Sequence, residues 1–204
     1  MMDPSAIPAI VLAAGLSRRM GRENKLLLPY GKGTVLGAVL QQITALDWAG
    51  IYVVTGHEND LVSEVLRSYE VEALYHPDFA RGQGSSIRAG LAALPPDAPA
   101  FMIALGDLPL LRTADYVALR SAFVRAFQRD ERAILRPLRQ GQPGHPVFFA
   151  AAHRPALLAS QDPTGARAVI KSQRAHLHPF STTSEAFFYD VDTPEAYRNL
   201  PPPG

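Results

Sequence analysis

The chain has no cysteine, which excludes disulfides, thiolate metal sites and a cysteine nucleophile and fits a reducing compartment. It also lacks a charge excess, because 20 basic residues against 19 acidic ones leave a net charge of +1. No long-range field draws it to nucleic acid or to a membrane surface, so any polyanion has to be met by local groups. Long hydrophobic runs are missing as well. The run from Ala9 to Ala14 is far too short to span a bilayer, and Met1 to Ala6 carry Asp3 and Pro4 where a secretory signal would carry basic residues. Together these absences predict a cytoplasmic protein with no signal peptide and no membrane span. Lysine is scarce too, with three residues against 17 arginines. A lysine at a special place is therefore not this chain's default surface cation.

What is present is a globular composition, 47% hydrophobic and 19% charged over 204 residues, enough for one sizeable core. A single domain over 1–204 is expected, with 1–8 and 201–204 loose. Short apolar runs alternate with helix-length amphipathic stretches. That pattern predicts an α/β fold with a mostly parallel, Rossmann-like sheet and helices on both faces. Strands are expected at 9–14, 51–55, 71–75, 101–105, 133–137, 146–149 and 187–191. Helices are expected from Thr34, over 59–68, 85–94 and 113–128, and from Thr193-Pro194-Glu195, which supplies a capping residue and a proline at the first position.

Three regions carry chemistry. The strand 9–14 runs straight into Gly15-Leu16-Ser17-Arg18-Arg19-Met20-Gly21 and then Lys25. Gly15 lets backbone come close to a ligand, successive N–H groups in such a turn donate to phosphate oxygens, and Arg19 and Lys25 add full charges. A compact ammonium suits a triphosphate as a point charge. The loop matches neither the P-loop nor the dinucleotide fingerprint, and on its own it also reads as an ordinary strand-to-loop connection. Asp107 follows the strand 101–105, where open α/β sheets place ligand-binding groups; it is either a metal carboxylate or a turn residue before Pro109. Asp192 is a metal ligand or the cap of the last helix, with Asp190, on the same expected strand and face, in reserve. Gly82 to Ser86 offers hydroxyls to a base or ribose, or else a helix cap. His145, in a Gly/Pro-rich loop, is a substrate contact or an incidental surface group. The remaining histidines show no metal-ligand spacing.

Five segments in order resemble the MobA-like nucleotidyltransferases, in particular the molybdenum-cofactor cytidylyltransferases. They are Leu12-Ala13-Ala14-Gly15 through Gly21 with Lys25-Leu26-Leu27-Leu28-Pro29, Gly82-Gln83-Gly84-Ser85-Ser86, Leu105-Gly106-Asp107-Leu108-Pro109, Gly144-His145-Pro146-Val147, and Asp190-Val191-Asp192-Thr193-Pro194-Glu195. The resemblance implies a nucleotide-diphospho-sugar transferase-like fold and nucleotide contacts from Leu12, Ala13, Ala14, Gly15, Arg19, Lys25, Gly82 and Ser86. It implies catalysis through Lys25, Arg19 and Asp107, Mg²⁺ on Asp107 and Asp192, and an acceptor contact from His145. The implied reaction moves a nucleotidyl group, CMP from CTP, onto the phosphate of a molybdopterin-type acceptor, with a molybdenum hydroxylase as the eventual client. CTP is favoured because guanylyl-type relatives more often carry glycine in place of Ala14. Two departures stand against this: Leu108 lies where the cytidylyl type often has Gln, and Arg22-Glu23-Asn24 lengthens the first loop by one residue. GTP use, a sugar or methylerythritol phosphate acceptor, and a nucleotide-dependent insertion chaperone stay open as alternatives.

Overall fold

A computed structural model describes residues 2–202. In chain order the strands are β1 (Ala9–Ala13), β2 (Pro29–Tyr30), β3 (Gly33–Thr34), β4 (Ile51–Thr55), β5 (Glu72–Tyr75), β6 (Ala100–Leu105), β7 (Ile134–Arg139), β8 (Gln142–Pro143), β9 (Val147–Ala150) and β10 (Leu177–Ser181). The helices are α1 (Val35–Ile43), α2 (Asn59–Leu66), α3 (Gln83–Ala93), α4 (Thr113–Phe127), α5 (Arg154–Ala159), α6 (Arg167–Ser172) and α7 (Pro194–Arg198). The main sheet runs β10-β7-β9-β6-β1-β4-β5, with β8 attached to β7 and β2-β3 forming a separate ribbon. All its pairings are parallel except those of β8 and β9.

β1 is buried along its whole length. Its period of two sends Ala9, Val11 and Ala13 into the core beneath α1, α2 and α4, while Ile10, Leu12 and Ala14 join the core beneath α3, α5 and α6. A large apolar side chain buried this way contributes about 1.5–3 kcal/mol, so both faces hold the central strand in place. Leu12 registers with Val54 on one side and Leu105 on the other. From β1 the chain winds outward to β4 and β5, and α3 then returns it to β6 on the opposite side of β1. The winding direction reverses between β1 and β6, and in open α/β sheets the crevice at such a reversal is the ligand site. The loop after β1 and the Gly106-Asp107 turn after β6 both open there. Among the described residues no helix is long and apolar enough to cross a membrane.

Four expectations need correction. Residues 187–191 form no strand, because Glu185–Phe187 is a 3-10 turn and the chain beyond it makes no ladder; Phe187 and Val191 are buried by packing alone. The last strand is instead β10, at the sheet edge, where Pro179 is tolerated. His176 Nδ1 and His178 Nε2 each lie 3.0 Å from Asp130 Oδ2, tying this edge to the end of α4. Helix α3 starts at Gln83, two residues before the expected start at Ser85. The expected looseness of 1–8 does not hold for the described part: Pro4–Ala6 is a 3-10 turn capped by Asp3, Ile7 is fully buried, and Pro8 O accepts from Met102 N at 3.0 Å. At the other end Pro201 O accepts from Tyr30 Oη at 3.0 Å, while Met1, Pro203 and Gly204 lie outside the described residues.

Because Ile7 fills the core at the entry to β1, Ile7→Ala should lower unfolding stability by about 3 kcal/mol in a denaturant titration. A change within ~0.5 kcal/mol would return the N-terminal segment to the loose state that its sequence suggests.

Candidate active site

The loop after β1 folds back on itself. Ser17 takes a left-handed conformation at φ 49°, its carbonyl accepts from Met20 N at 2.8 Å, and its Oγ accepts from Lys25 N at 3.2 Å. Asn24 Oδ1 accepts from Leu26 N at 3.1 Å and caps the short turn that carries Lys25. These local bonds aim the lysine at the carboxyl end of β6. There Lys25 Nζ donates to Asp107 Oδ2 and, at 2.6 Å, to Asp192 Oδ1, while Arg19 donates to Asp192 Oδ2. The C-terminal segment reaches this point because Val191 N donates to Asp107 O at 3.0 Å. Capping of α7 falls to Thr193, whose Oγ1 accepts from Ala196 N at 3.1 Å, so Asp192 is left to the cluster. Asp190 does face Asp192, but through a tight turn in which Asp192 N donates to Asp190 O at 3.0 Å, and not by strand alternation.

Charge in the cluster is self-consistent. Burial works against the Lys25 cation, yet the Asp107 and Asp192 carboxylates outweigh it and hold its pKa above the ordinary lysine value. Burial opposes the Asp192 anion too, but the hydrogen bond from Asp190 and the Lys25 and Arg19 charges bring its pKa below the usual carboxylate range. Asp190, on the rim, is raised to about 6 by partial burial, by Asp192 and by the Asp107 charge. Asp107 Oδ1 is buried with no hydrogen-bond partner. Two carboxylates converging on one cation, with a lone pair unspent, form a donor set that suits a hard divalent ion. Among the described residues no three His, Cys, Asp or Glu side chains are grouped to hold an ion by themselves, so substrate oxygens and water would complete its shell.

The cluster forms the floor of a cavity of about 400 Å³. Of the residues singled out in the sequence, Leu12, Ala14, Gly15 and Arg19 line it, as do Lys25, Gly82, Ser86, Asp107 and Asp192. Two do not. Ala13 is turned by the period of β1 into the opposite core. His145 lies in a second cavity of about 240 Å³ that shares only Leu12 and Gln83 with the first. Ser85 is no cap: its Oγ donates to Gly82 O at 2.7 Å and lies 3.0 Å from His76 Nε2. Sequence reasoning missed Phe79 and Gln83 on the walls. Gln83 had a signal, since it sits inside the Gly82–Ser86 segment; Phe79 had none.

His145 is held by backbone on both sides, with its N–H donating to Phe187 O at 3.0 Å and Gly144 N donating to Pro137 O at 2.9 Å. Its Nδ1 is buried without a partner. Burial, followed by the Arg136 charge, lowers its pKa to about 4, so the ring is neutral at neutral pH.

With this geometry in view, comparison with known proteins identifies the lineage. The family described as the MobA-like NTP transferase domain matches residues 9–178. The chain belongs to that family. The molybdenum cofactor cytidylyltransferase of Escherichia coli K12 is 30% identical over 200 residues, covering 95% of this chain and 94% of its own. The nicotine blue oxidoreductase of Paenarthrobacter nicotinovorans is 26% identical and covers 97% of this chain and 98% of its own. Among solved structures, Rv0371c of Mycobacterium tuberculosis H37Rv in complex with manganese superposes with a TM-score of 0.75 at 25% identity, covering 95% of this chain and 97% of that one. A MobA-like NTP transferase fold with a divalent-metal complex among its neighbours agrees with paired carboxylates at the end of β6.

The half-buried, neutral His145 makes stability pH-dependent. Its folded pKa lies below the ordinary value of 6.5, so as pH falls from 6.5 to about 4 the unfolded chain takes up the proton first and stability is lost; below that window both states are protonated and the slope ends. His145→Asn should flatten this part of a pH series of denaturant unfolding curves relative to the parent protein. Parallel curves for the two proteins would show that the ring is solvated.

Proposed function

We propose that the chain transfers a nucleotidyl group, CMP from CTP, to the phosphate of a molybdopterin-type acceptor and releases pyrophosphate. The observation that carries this is Lys25 Nζ placed between Asp107 and Asp192 at the mouth of β1 and β6, beside a loop able to take phosphates. The name of the Escherichia coli relative favours cytidylyl transfer to a molybdenum cofactor. An equally long relative is named for an oxidoreductase, so the acceptor rests on the site and not on overall likeness. The proposal takes 1–204 as one cytoplasmic nucleotidyltransferase domain.

In this reading the acceptor's phosphate oxygen attacks the α-phosphorus in line, one P–O bond forms, and the bond to pyrophosphate breaks. A phosphate monoester has its second pKa near ~6 and is already ionised at neutral pH, so the chain needs neither a nucleophile nor a general base. What it supplies is position and charge. Backbone at Ala14 and Gly15 approaches the phosphates, Lys25 and Arg19 meet their charge, and Ser86 and Gly82 face the nucleoside. The Ala14 methyl stands on the wall close to Gly56 and Phe79 and narrows the base pocket against a purine. Asp107 and Asp192 would hold Mg²⁺, whose chemistry is to neutralise the charge building on the leaving pyrophosphate. His145 faces the acceptor from the neighbouring cavity.

Pyrophosphate release measured against Mg²⁺ concentration tests the assignment, with CTP and GTP compared at equal concentration. CTP should be used where GTP scarcely competes. Because Thr193 caps α7, Asp192→Asn should fold normally yet require at least about tenfold more Mg²⁺, on the scale of losing one charged contact; Lys25→Met should cut turnover about a hundredfold or more. An unchanged Mg²⁺ requirement in Asp192→Asn removes that residue from the site.

Gly15 offers a cleaner separation of fold from function. It has no left-handed φ, and a Cβ built on it meets nothing within 4 Å, so the folded chain itself has no need of glycine there. Gly15→Ala should leave the melting temperature of the free protein unchanged while weakening CTP binding about tenfold, because the methyl enters the space the phosphates require. A variant that binds CTP as well as the parent would place the phosphates elsewhere.

A further inference from the structure

The second cavity contains two guanidinium charges that, among the described residues, no ion pair neutralises. Arg136 enters it from β7 and Arg167 from the first turn of α6. Among the described residues neither guanidinium has a carboxylate within 4.0 Å. Arg136 donates from Nε to Gly144 O at 3.3 Å, and burial together with the Arg167 charge works against its cation. Asp162 is near enough to Arg167 to feel its charge, but its oxygens are already taken: Oδ1 accepts from Thr164 N at 2.8 Å and Oγ1 at 2.6 Å, and Oδ2 accepts from Ala168 N at 3.2 Å. The same cavity is lined by His145, whose buried Nδ1 lacks a partner, and by apolar side chains such as Ile87, Ile103 and Phe149. Two like charges beside an apolar wall repel, and Arg136 is half-buried besides, an arrangement that an incoming anion relieves. Guanidinium forks suit carboxylate and tetrahedral oxyanions alike.

We infer that Arg136 and Arg167 bind an anionic group of the acceptor distinct from the phosphate that receives the nucleotide, with His145 Nδ1 as a neutral hydrogen-bond partner beside them. The word acceptor rests on the nucleotidyl-transfer reading; the anion site itself does not. The cavity adjoins the first through Leu12 and Gln83, so one molecule can present its phosphate to the nucleotide and its second anion to the arginines. At about 240 Å³ the space is smaller than the roughly 300–1,000 Å³ of a whole-ligand pocket, and it takes a head group, not an entire cofactor. The substrate class is therefore a phosphorylated molecule with a second, separated anionic group. A sugar or polyol phosphate, neutral at its far end, leaves the arginine pair unanswered.

Calorimetric titration of the full chain with sulfate and with acetate, each in the presence and absence of a non-hydrolysable CTP analogue and Mg²⁺, tests this. One ion should bind per chain whether or not the nucleotide analogue is present, and preference for sulfate or acetate identifies an oxyanion or a carboxylate. Arg136→Met and Arg167→Ala should each weaken that ion at least about tenfold while leaving the affinity for the CTP analogue within about twofold. Arg167 is exposed, so its variant keeps the test readable should Arg136→Met fold poorly. Absence of ion binding, one-for-one displacement of the ion by the nucleotide analogue, or unchanged ion affinity in Arg167→Ala overturns the inference. Failure of the analogue to bind would count against nucleotidyl transfer while the ion titration still reads the arginine site.

Discussion

The ion pair network centred on Lys25 ties together three parts of the chain that lie far apart in sequence. Its ammonium lies 82 residues from Asp107 and 167 residues from Asp192 in sequence, and it joins the loop after β1, the turn after β6 and the segment leading into α7. Two half-buried carboxylates cannot face each other uncompensated, because desolvation and mutual repulsion both disfavour the charged forms. A cation between them turns repulsion into cross-bracing. The shifts agree with this, with Lys25 raised, Asp192 lowered, and Asp190 beside them raised.

The sheet sets where this can happen. β1 is central, packed on both faces, and flanked by β4 and β6 in parallel register, so the loop that leaves it opens at the reversal of winding. α3 then brings Gly82 to Ser86 over the same opening. Its first turn is pressed against the loop 160–165 so closely that a Cβ on Gly84 would lie 2.0 Å from Asp162 O, and Gly84 N donates to Pro163 O at 3.3 Å. Gln83, on that turn, stands on the walls of both cavities. The two cavities thus share one short piece of backbone at the start of α3.

Much of this was legible in the residues, for identifiable reasons. β1, β4 and β6 are continuous apolar runs because parallel central strands are buried on both faces, and Lys25 stood out because lysine is rare here. Asp107 was placed by the strand it ends. The C-terminal third was harder to read. Phe187 and Val191 look like strand residues because they are buried, but they pack under the sheet without a ladder, whereas β10 carries Pro179 and polar neighbours and hides as an edge. Ala13 belonged to the nucleotide motif by position, yet strand alternation alone sends it to the other core. Arg136 and Arg167 gave no sign, since two arginines among 17 acquire meaning only when β7 and α6 bring them together.

The two cavities are opposite in electrostatic state, and that difference orders their use. In the first, Lys25 and Arg19 already neutralise Asp107 and Asp192, so a triphosphate draws the lysine away most readily if the carboxylates are given another cation in exchange. An ammonium serves two carboxylates and a polyphosphate poorly at once, because two of its three donors and its single charge are already engaged by the former. In the proposed reaction Lys25 is freed to follow the phosphates when a divalent ion arrives with them, so that triphosphate and metal act as a joint ligand. In the second cavity no such exchange is needed, because among the described residues neither Arg136 nor Arg167 is held in an ion pair. On the proposed reading, a protein built this way spends little nucleotide affinity on incomplete ligands and meets its acceptor with charge that is held ready.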